Sequence, residues 1–249
     1  HLDMTLAPGV ETETDLSVTL LPRREIADAG VAPLTSMYLK GPLRASVSDD
    51  FRPRVHDSDL LFIENGAGER LWRPIANPAR VETSAFAEAG IGPRSFGLYQ
   101  TARAFEDFED SEARYHDRPS AVVRPRGDWG KGAVILVEIP AADEFMDNIV
   151  AFWRPAAPLA AGSEHRFDYR LTWTLAGPDP GAAPAVLQSR SGREHHLPGH
   201  RRYVVDVAGA ADGLAVDLSA AGAETSGLSV FDLPQGRGVR MTFLLQAGE

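Results

Sequence analysis

The chain has 249 residues, no cysteine, a formal net charge of −10 and a pI near 5.2. The missing thiols exclude disulfides, thiol catalysis and cysteine metal sites. The acidic balance argues against nucleic acid or an anionic membrane as partner, and no run approaches the roughly 18 apolar residues of a membrane span.

The opening HLDMTLAPG does not read as a signal peptide. Residues 14–21 alternate and predict a strand. The mixed segment Arg23–Gly30 fits a loop or one helical turn. The apolar run Val31–Leu39 predicts one buried strand, and 40–50, rich in breakers, a surface loop. Next, DFRPRVHDSD places His56, Asp57 and Asp59 within four positions. Leu60–Glu64 and Leu71–Pro74 flank an Asn65-Gly66 turn and predict a hairpin. Val81–Ala87 and Ser95–Gln100 are further strands.

The densely charged run 103–118 carries Phe105, Phe108 and Tyr115. It fits a short amphipathic helix or an irregular loop. Ala121–Pro125, Ala133–Ile139 and Asn148–Trp153 are rich in β-branched and aromatic residues and predict strands. Pro140 ends the second of these, since it offers no N–H to a ladder. The connector AADEFMD between the last two holds Asp143, Glu144 and Asp147.

His165–Leu175 alternates cleanly. GPDPGAAP at 177–184 reads as a linker. Strand-like pieces follow at Arg202–Val207, Leu214–Leu218, Leu228–Asp232 and Val239–Leu245, with Gly-rich turns between them, as in a small sandwich. The fold class is therefore all-β.

The seven histidines contain one adjacent pair, His195-His196, and no metal-binding spacing, so no metal or cofactor is expected. The carboxylates gather at Asp57/Asp59, Glu106–Glu112 and Asp143/Glu144/Asp147, near Trp72, Trp129, Trp153, Tyr38, Tyr99 and Tyr115. Aromatic platforms beside carboxylates suit a carbohydrate site, where sugar rings stack on aromatic faces and acidic groups bond the hydroxyls. The same residues also serve as turn carboxylates and core aromatics, and composition alone does not choose between these readings.

The runs LTSMYLKGP, DFRPRVHDSD, GERLWRPIANP, SFGLYQTARAFEDFEDSEARYHDRPSAVVRP and GDWGKGAVILVEIPAADEFMDNIVAFWRP narrow the choice. Together they resemble the periplasmic glucan biosynthesis proteins of the G and D type, which act on osmoregulated periplasmic glucans. The resemblance implies a galactose-mutarotase-like β-sandwich followed by a small immunoglobulin-like β-sandwich. On that pattern, 1–176 correspond to the C-terminal portion of the large sandwich, 177–184 to the linker, and 185–249 to an incomplete immunoglobulin-like domain. It covers the second half of the family chain, and a partial sandwich of this kind is expected to leave open edges. Leu60 stands where the family usually has glycine.

The resemblance also implies an inverting β-1,2-glucan hydrolase or transglycosylase located in the periplasm, with a non-catalytic glucan-binding or assembly factor as the alternative. By the matching motifs Asp147 is the acid and Asp57 the base. Glu144 and Tyr115 match positions that relay a proton. Trp72, Arg73, Arg103, Trp129 and Tyr99 are candidate substrate-binding residues. An acid at Asp147 needs an apolar or shared-carboxylate pocket, which Phe145, Met146 and Glu144 are placed to supply. Asp57 has to stay ionised, which Arg52, Arg54 or His56 would favour.

Overall fold

The computed structural model describes residues 1–43, 49–88 and 90–247. They fall into two compact units. The larger comprises His1–Lys40 and Asp50–Gly177; the smaller comprises the described residues of 41–49 and of 178–247. Nearly all regular structure is strand.

The larger unit opens with β1 (Leu2–Ala7), β2 (Thr12–Leu20), β3 (Val31–Ser36), β4 (Tyr38–Lys40) and β5 (Val55–His56). It continues with β6 (Leu60–Glu64), β7 (Arg70–Pro74), β8 (Glu82–Glu88) and β9 (Ser95–Tyr99). Two single 3₁₀ turns follow, at Phe105–Asp107 and Tyr115–Asp117. Then come β10 (Ser120–Arg126), β11 (Gly132–Glu138), β12 (Ile149–Pro155) and β13 (His165–Thr174). A seven-stranded sheet runs β1-β2-β13-β10-β9-β6-β7, a four-stranded sheet runs β3-β12-β11-β8, and β4 pairs with β5 alone. All pairings are antiparallel.

The two larger sheets bury one shared core. Leu61, Ile63, Phe96, Leu98, Val123 and Phe167 come from the seven-stranded sheet, and Val134, Leu136, Ile149, Ala151 and Trp153 from the four-stranded one. Burial of side chains this large is worth roughly 1.5–3 kcal/mol each and drives the layering. A second cluster (Met37, Leu39, Val55, Ala102, Phe108, Tyr115) lies under the β4–β5 pair. A third joins Leu60, Phe62, Tyr99 and Val122, with Trp72 against it.

The Val31–Leu39 run is not one strand. It breaks at Met37, so that β3 joins β12 while β4 joins β5. The cause is a side chain: Asn148 takes both backbone groups of Tyr38, accepting from its N–H at 2.8 Å and donating to its carbonyl at 3.0 Å. The 103–118 run is irregular rather than helical. Glu109 and Arg114 sit at φ 53°, a left-handed conformation that no α-helix contains. Of the surface loop expected at 40–50, residues 44–48 lie outside the described residues.

The smaller unit contains β14 (Val186–Arg193), β15 (His200–Val207), β16 (Ala223–Asp232) and β17 (Val239–Ala247), in the order β14-β15-β17-β16. Leu214–Leu218, expected as a strand, is irregular and lines an apolar pocket with Val205, Met241 and Phe243. β1 and β14 were not expected. No described helix is long and apolar enough to cross a membrane.

Candidate active site

β11 and β12 pair from Gly132↔Pro155 to Glu138↔Ile149, so the acidic connector is the tip of a hairpin in the middle of the four-stranded sheet. Its base is fixed by carboxamides. Asn148 also donates to Ile139 O at 2.8 Å, and Asn77 donates to Ala141 O at 2.8 Å while accepting from Ala141 N–H at 2.9 Å. Asp143 caps the Phe145 N–H at 3.0 Å.

Asp57 follows β5 directly. Its N–H donates to Met37 O at 2.9 Å, and its carboxylate accepts from Arg118 Nη1 at 2.6 Å. Burial raises the Asp57 pKa above its ordinary value. Arg118 opposes the rise and the negative charge of Asp147 adds to it.

The cation that holds Asp57 is not one of those expected. Arg52 is committed elsewhere, and Arg54 pairs with Asp107 at 3.3 Å. His56 is fully buried, stacked on Tyr38 with ring centres 5.1 Å apart. Burial pushes its pKa down to about 4, so it is neutral and gives Asp57 no positive charge near neutral pH.

Tyr115 and Glu144 meet. The Tyr115 hydroxyl donates to Glu144 Oε2 at 2.5 Å, and Arg52 Nη1 donates to the same oxygen at 2.8 Å. Arg52 also donates to Asp110 Oδ2 at 2.6 Å and, through Nη2, to Asp50 at 2.7 Å. Burial first, then the Glu144 carboxylate, raises the Tyr115 pKa, so the phenol keeps its proton. The Arg118 guanidinium lies over the Tyr115 ring at 4.7 Å. Tyr115 thus bridges two ion pairs, Arg118–Asp57 on its face and Arg52–Glu144 at its hydroxyl.

Asp147 is exposed, and so are Phe145 (89%) and Met146 (41%). The apolar pocket expected around this residue is not formed by its neighbours, because the hairpin tip points their side chains outward. Glu144 is turned instead toward Arg52 and Tyr115.

Of the expected substrate-binding residues, only Arg103 reaches this cluster, through the Arg118 carbonyl. Trp129 is packed in the main core against Phe167 and Tyr169, and Tyr99 is buried against Phe62, so neither presents a free face. Trp72 packs edge-on to Phe62. Arg73 pairs with the buried Glu138 at 2.7 Å. Arg103 donates to Arg118 O at 2.5 Å and to Ser120 Oγ at 3.1 Å, bracing the chain beside Arg118.

A pocket of about 230 Å³ adjoins Asp57 and Arg118, walled by Trp173, Thr35, Ser36 and Ser58. Trp173 and Arg118 were not singled out from the sequence. Trp173 sits in the alternating His165–Leu175 run, where its face but not its exposure is legible. Arg118 and the buried Asp110 are hidden among the charges of 103–118.

Linkage gives a stability consequence. Because the folded protein holds the Asp57 proton more tightly than the unfolded chain, ionising Asp57 costs stability. The cost appears as pH rises from the unfolded value of about 3.9 through the raised folded value. Asp57→Asn is therefore expected to be more stable than the natural chain at pH 7, with the difference closing below about pH 4. Urea denaturation at the two pH values checks this; a less stable variant at pH 7 contradicts it.

The sequence model of the family described as "Periplasmic glucan biosynthesis protein, MdoG" matches residues 1–249. Glucans biosynthesis protein G of Vibrio cholerae serotype O1 is 50% identical over 192 residues, 76% of this chain and 34% of that protein. The protein of the same name from Shewanella frigidimarina is 47% identical over 189 residues, 76% of this chain and 34% of its own length. That from Rhodopseudomonas palustris is 47% identical over 206 residues, 82% of this chain and 40% of its own length. The chain thus spans well under half of the curated relatives it matches. With a model match from end to end and relatives near half identity, the chain belongs to the family of periplasmic glucan biosynthesis proteins.

Proposed function

We propose that this protein acts on β-1,2-linked glucan in the periplasm as an inverting endo-hydrolase or transglycosylase. In this reading Asp147 donates a proton to the leaving oxygen, and Asp57 is the ionised base at the far end of a relay through Glu144 and Tyr115. The larger unit is then part of a galactose-mutarotase-like sandwich, and the smaller one part of an immunoglobulin-like domain. The observation that carries the reading is the Glu144–Tyr115 hydrogen bond beside the Arg118–Asp57 ion pair, with the Arg118 guanidinium over the Tyr115 ring. Since a guanidinium does not relay protons, a water between the Tyr115 hydroxyl and Asp57 has to complete the path. A relay needs groups in hydrogen-bond reach with protonation states held in place.

The roles follow from the surroundings. Arg118 pairs with Asp57 and favours its ionised form, offsetting part of the burial cost. Arg52 fixes Glu144 in one rotamer with its Oε2 on the Tyr115 hydroxyl. The Trp173 wall of the pocket beside Asp57 suits the C–H face of a sugar ring, and the Thr35 and Ser36 hydroxyls suit its polar edge. Asp147 lies open to solvent, so bound glucan has to exclude water from it.

That exposure also favours a second reading, a non-catalytic glucan-binding or assembly factor using the same residues. The names of the relatives speak of biosynthesis and of no cleavage reaction. Incubating the protein at its natural length with linear β-1,2-glucan separates the two. Shortened or transferred chains are expected; bound but unchanged glucan favours the assembly factor.

A further inference from the structure

Two buried carboxamides tie together the segments that carry Asp57, Tyr115 and Asp147. Asn148 is fully buried and follows Asp147 directly. It satisfies both backbone groups of Tyr38 as a neighbouring strand would, and also holds Ile139 O. Tyr38 pairs in register with His56, the residue before Asp57. Gln100, 1% exposed, then donates from one Nε2 to His56 O at 2.8 Å and to Tyr115 O at 3.2 Å. A continuous path, made of two carboxamide side chains bonded to main-chain groups and of the Tyr38–His56 strand pair, thus runs from Asn148, next to Asp147, through Tyr38, His56 and Gln100 to Tyr115.

None of these links touches a carboxylate of the candidate site. Each fixes backbone, which is the way to set the spacing of side chains borne on separate segments. Residues 141–148 and 100–119 contain no strand, and Tyr115 stands on a single 3₁₀ turn after a left-handed Arg114. Asn77, Asp59 and the arginine ion pairs also hold these segments, but Asn148 and Gln100 are the side chains that bond the main chain of Tyr38, His56 and Tyr115.

We propose that Asn148 and Gln100 are positioning residues that set the separation of Asp147 from Asp57 and Tyr115. This rests on the glucan-cleaving reading for its kinetic consequence but not for its structural one. Displacement of reacting groups by about 1 Å can cost about 100-fold in rate, so kcat is the parameter they control. Ground-state glucan binding, made by other groups, is left in place.

The test uses the protein at its natural length with Gln100→Met, close in shape but without polar atoms, Gln100→Asn, the same amide on a shorter arm, and Asn148→Ser. Thermal melts identify the variants that fold. Among these, kcat on linear β-1,2-glucan is expected to fall about 10–100-fold with KM little changed, and Gln100→Asn is not expected to rescue. A second readout needs no turnover. In protein labelled with ¹³Cζ-tyrosine, the Tyr115 signal, assigned with Tyr115→Phe, is expected to titrate closer to the ordinary tyrosine value of about 10 in Gln100→Met. Wild-type kcat, a change confined to KM, or an unmoved Tyr115 titration in a folded variant overturns the proposal. If the unmutated protein does not cleave glucan, the glucan-cleaving reading fails, and the Tyr115 titration alone decides whether Gln100 positions it.

Discussion

Asp147→Asn, in the protein at its natural length, is expected to lower glucan cleavage by about 10²–10⁴-fold, the usual contribution of one general acid. Its glucan affinity is expected to stay close to that of the unmutated protein. The substitution keeps size and shape and removes only the transferable proton. Asp147 is exposed, and the next residue is pinned through three side-chain hydrogen bonds, so the backbone of the hairpin tip has no reason to move. Stability should change by less than about 0.5 kcal/mol, as at other exposed positions. Reducing-end release and calorimetric glucan binding, measured side by side, check both halves. Full cleavage activity in this variant removes Asp147 as the acid.

Arg52→Met is expected to act on stability and activity together. The Arg52 side chain is only 12% exposed and serves three carboxylates, of which Asp110 is the most buried, with a side chain 7% exposed. Removing one partner of a buried ion pair leaves the other charge uncompensated, at a cost of about 3–5 kcal/mol. The pH dependence follows with its sign. The Arg52 hydrogen bond holds Asp50 down at about 2. Burial would raise Asp110, but Arg52 and the N–H groups of Ala113 and Glu112 outweigh it and keep its pKa low. For such carboxylates the stabilisation is complete above the unfolded value of about 3.9 and is lost as pH falls through the folded value. The variant keeps only the part of this stabilisation that backbone N–H groups supply, and so has less to lose. The gap in unfolding free energy between the two proteins should be widest at pH 6–7 and narrow toward pH 3. A gap independent of pH would assign the cost to lost packing instead. In activity, Arg52→Met frees the Glu144 oxygen that Tyr115 meets, so kcat should fall even where the variant is fully folded.

Most strands of the larger unit are legible because their residues have only one good place to go. Leu60–Glu64 and Ala133–Ile139 are short apolar runs bounded by turn or breaker residues, and both lie in the core. Val31–Leu39 is equally apolar but not one strand, because its break is imposed by Asn148, 110 residues away in sequence from Tyr38. β14 carries polar and small residues and is a strand through its pairing with β15, which no local pattern reveals. Leu214–Leu218 has the apolar pattern without a ladder partner, and packs as irregular chain.

The site was less legible than the sheets. Motif resemblance led to Asp57, Tyr115, Glu144 and Asp147, and the charge pattern led to no partner of any of them. Arg52 lies close to Asp57 in sequence and serves Glu144 in space, while Arg118, 61 residues away, serves Asp57. Tryptophans show the same limit. Trp129 and Trp173 look alike in the sequence, yet Trp129 is closed over by Phe167, Tyr169 and Trp153, while Trp173 borders an open pocket. Burial is decided by what the opposite sheet places across the gap, and periodicity reports only the face.

The central claim is that Asp147 works on one side of a glycosidic bond while Asp57, through the Glu144–Tyr115 relay, activates a water or sugar hydroxyl on the other. Inverting pairs leave room for that nucleophile and so reverse the configuration at the anomeric carbon. The direct measurement is proton NMR of the first products released from linear β-1,2-glucan, taken before mutarotation. New reducing ends in the α configuration are predicted. New reducing ends in the β configuration would contradict the account.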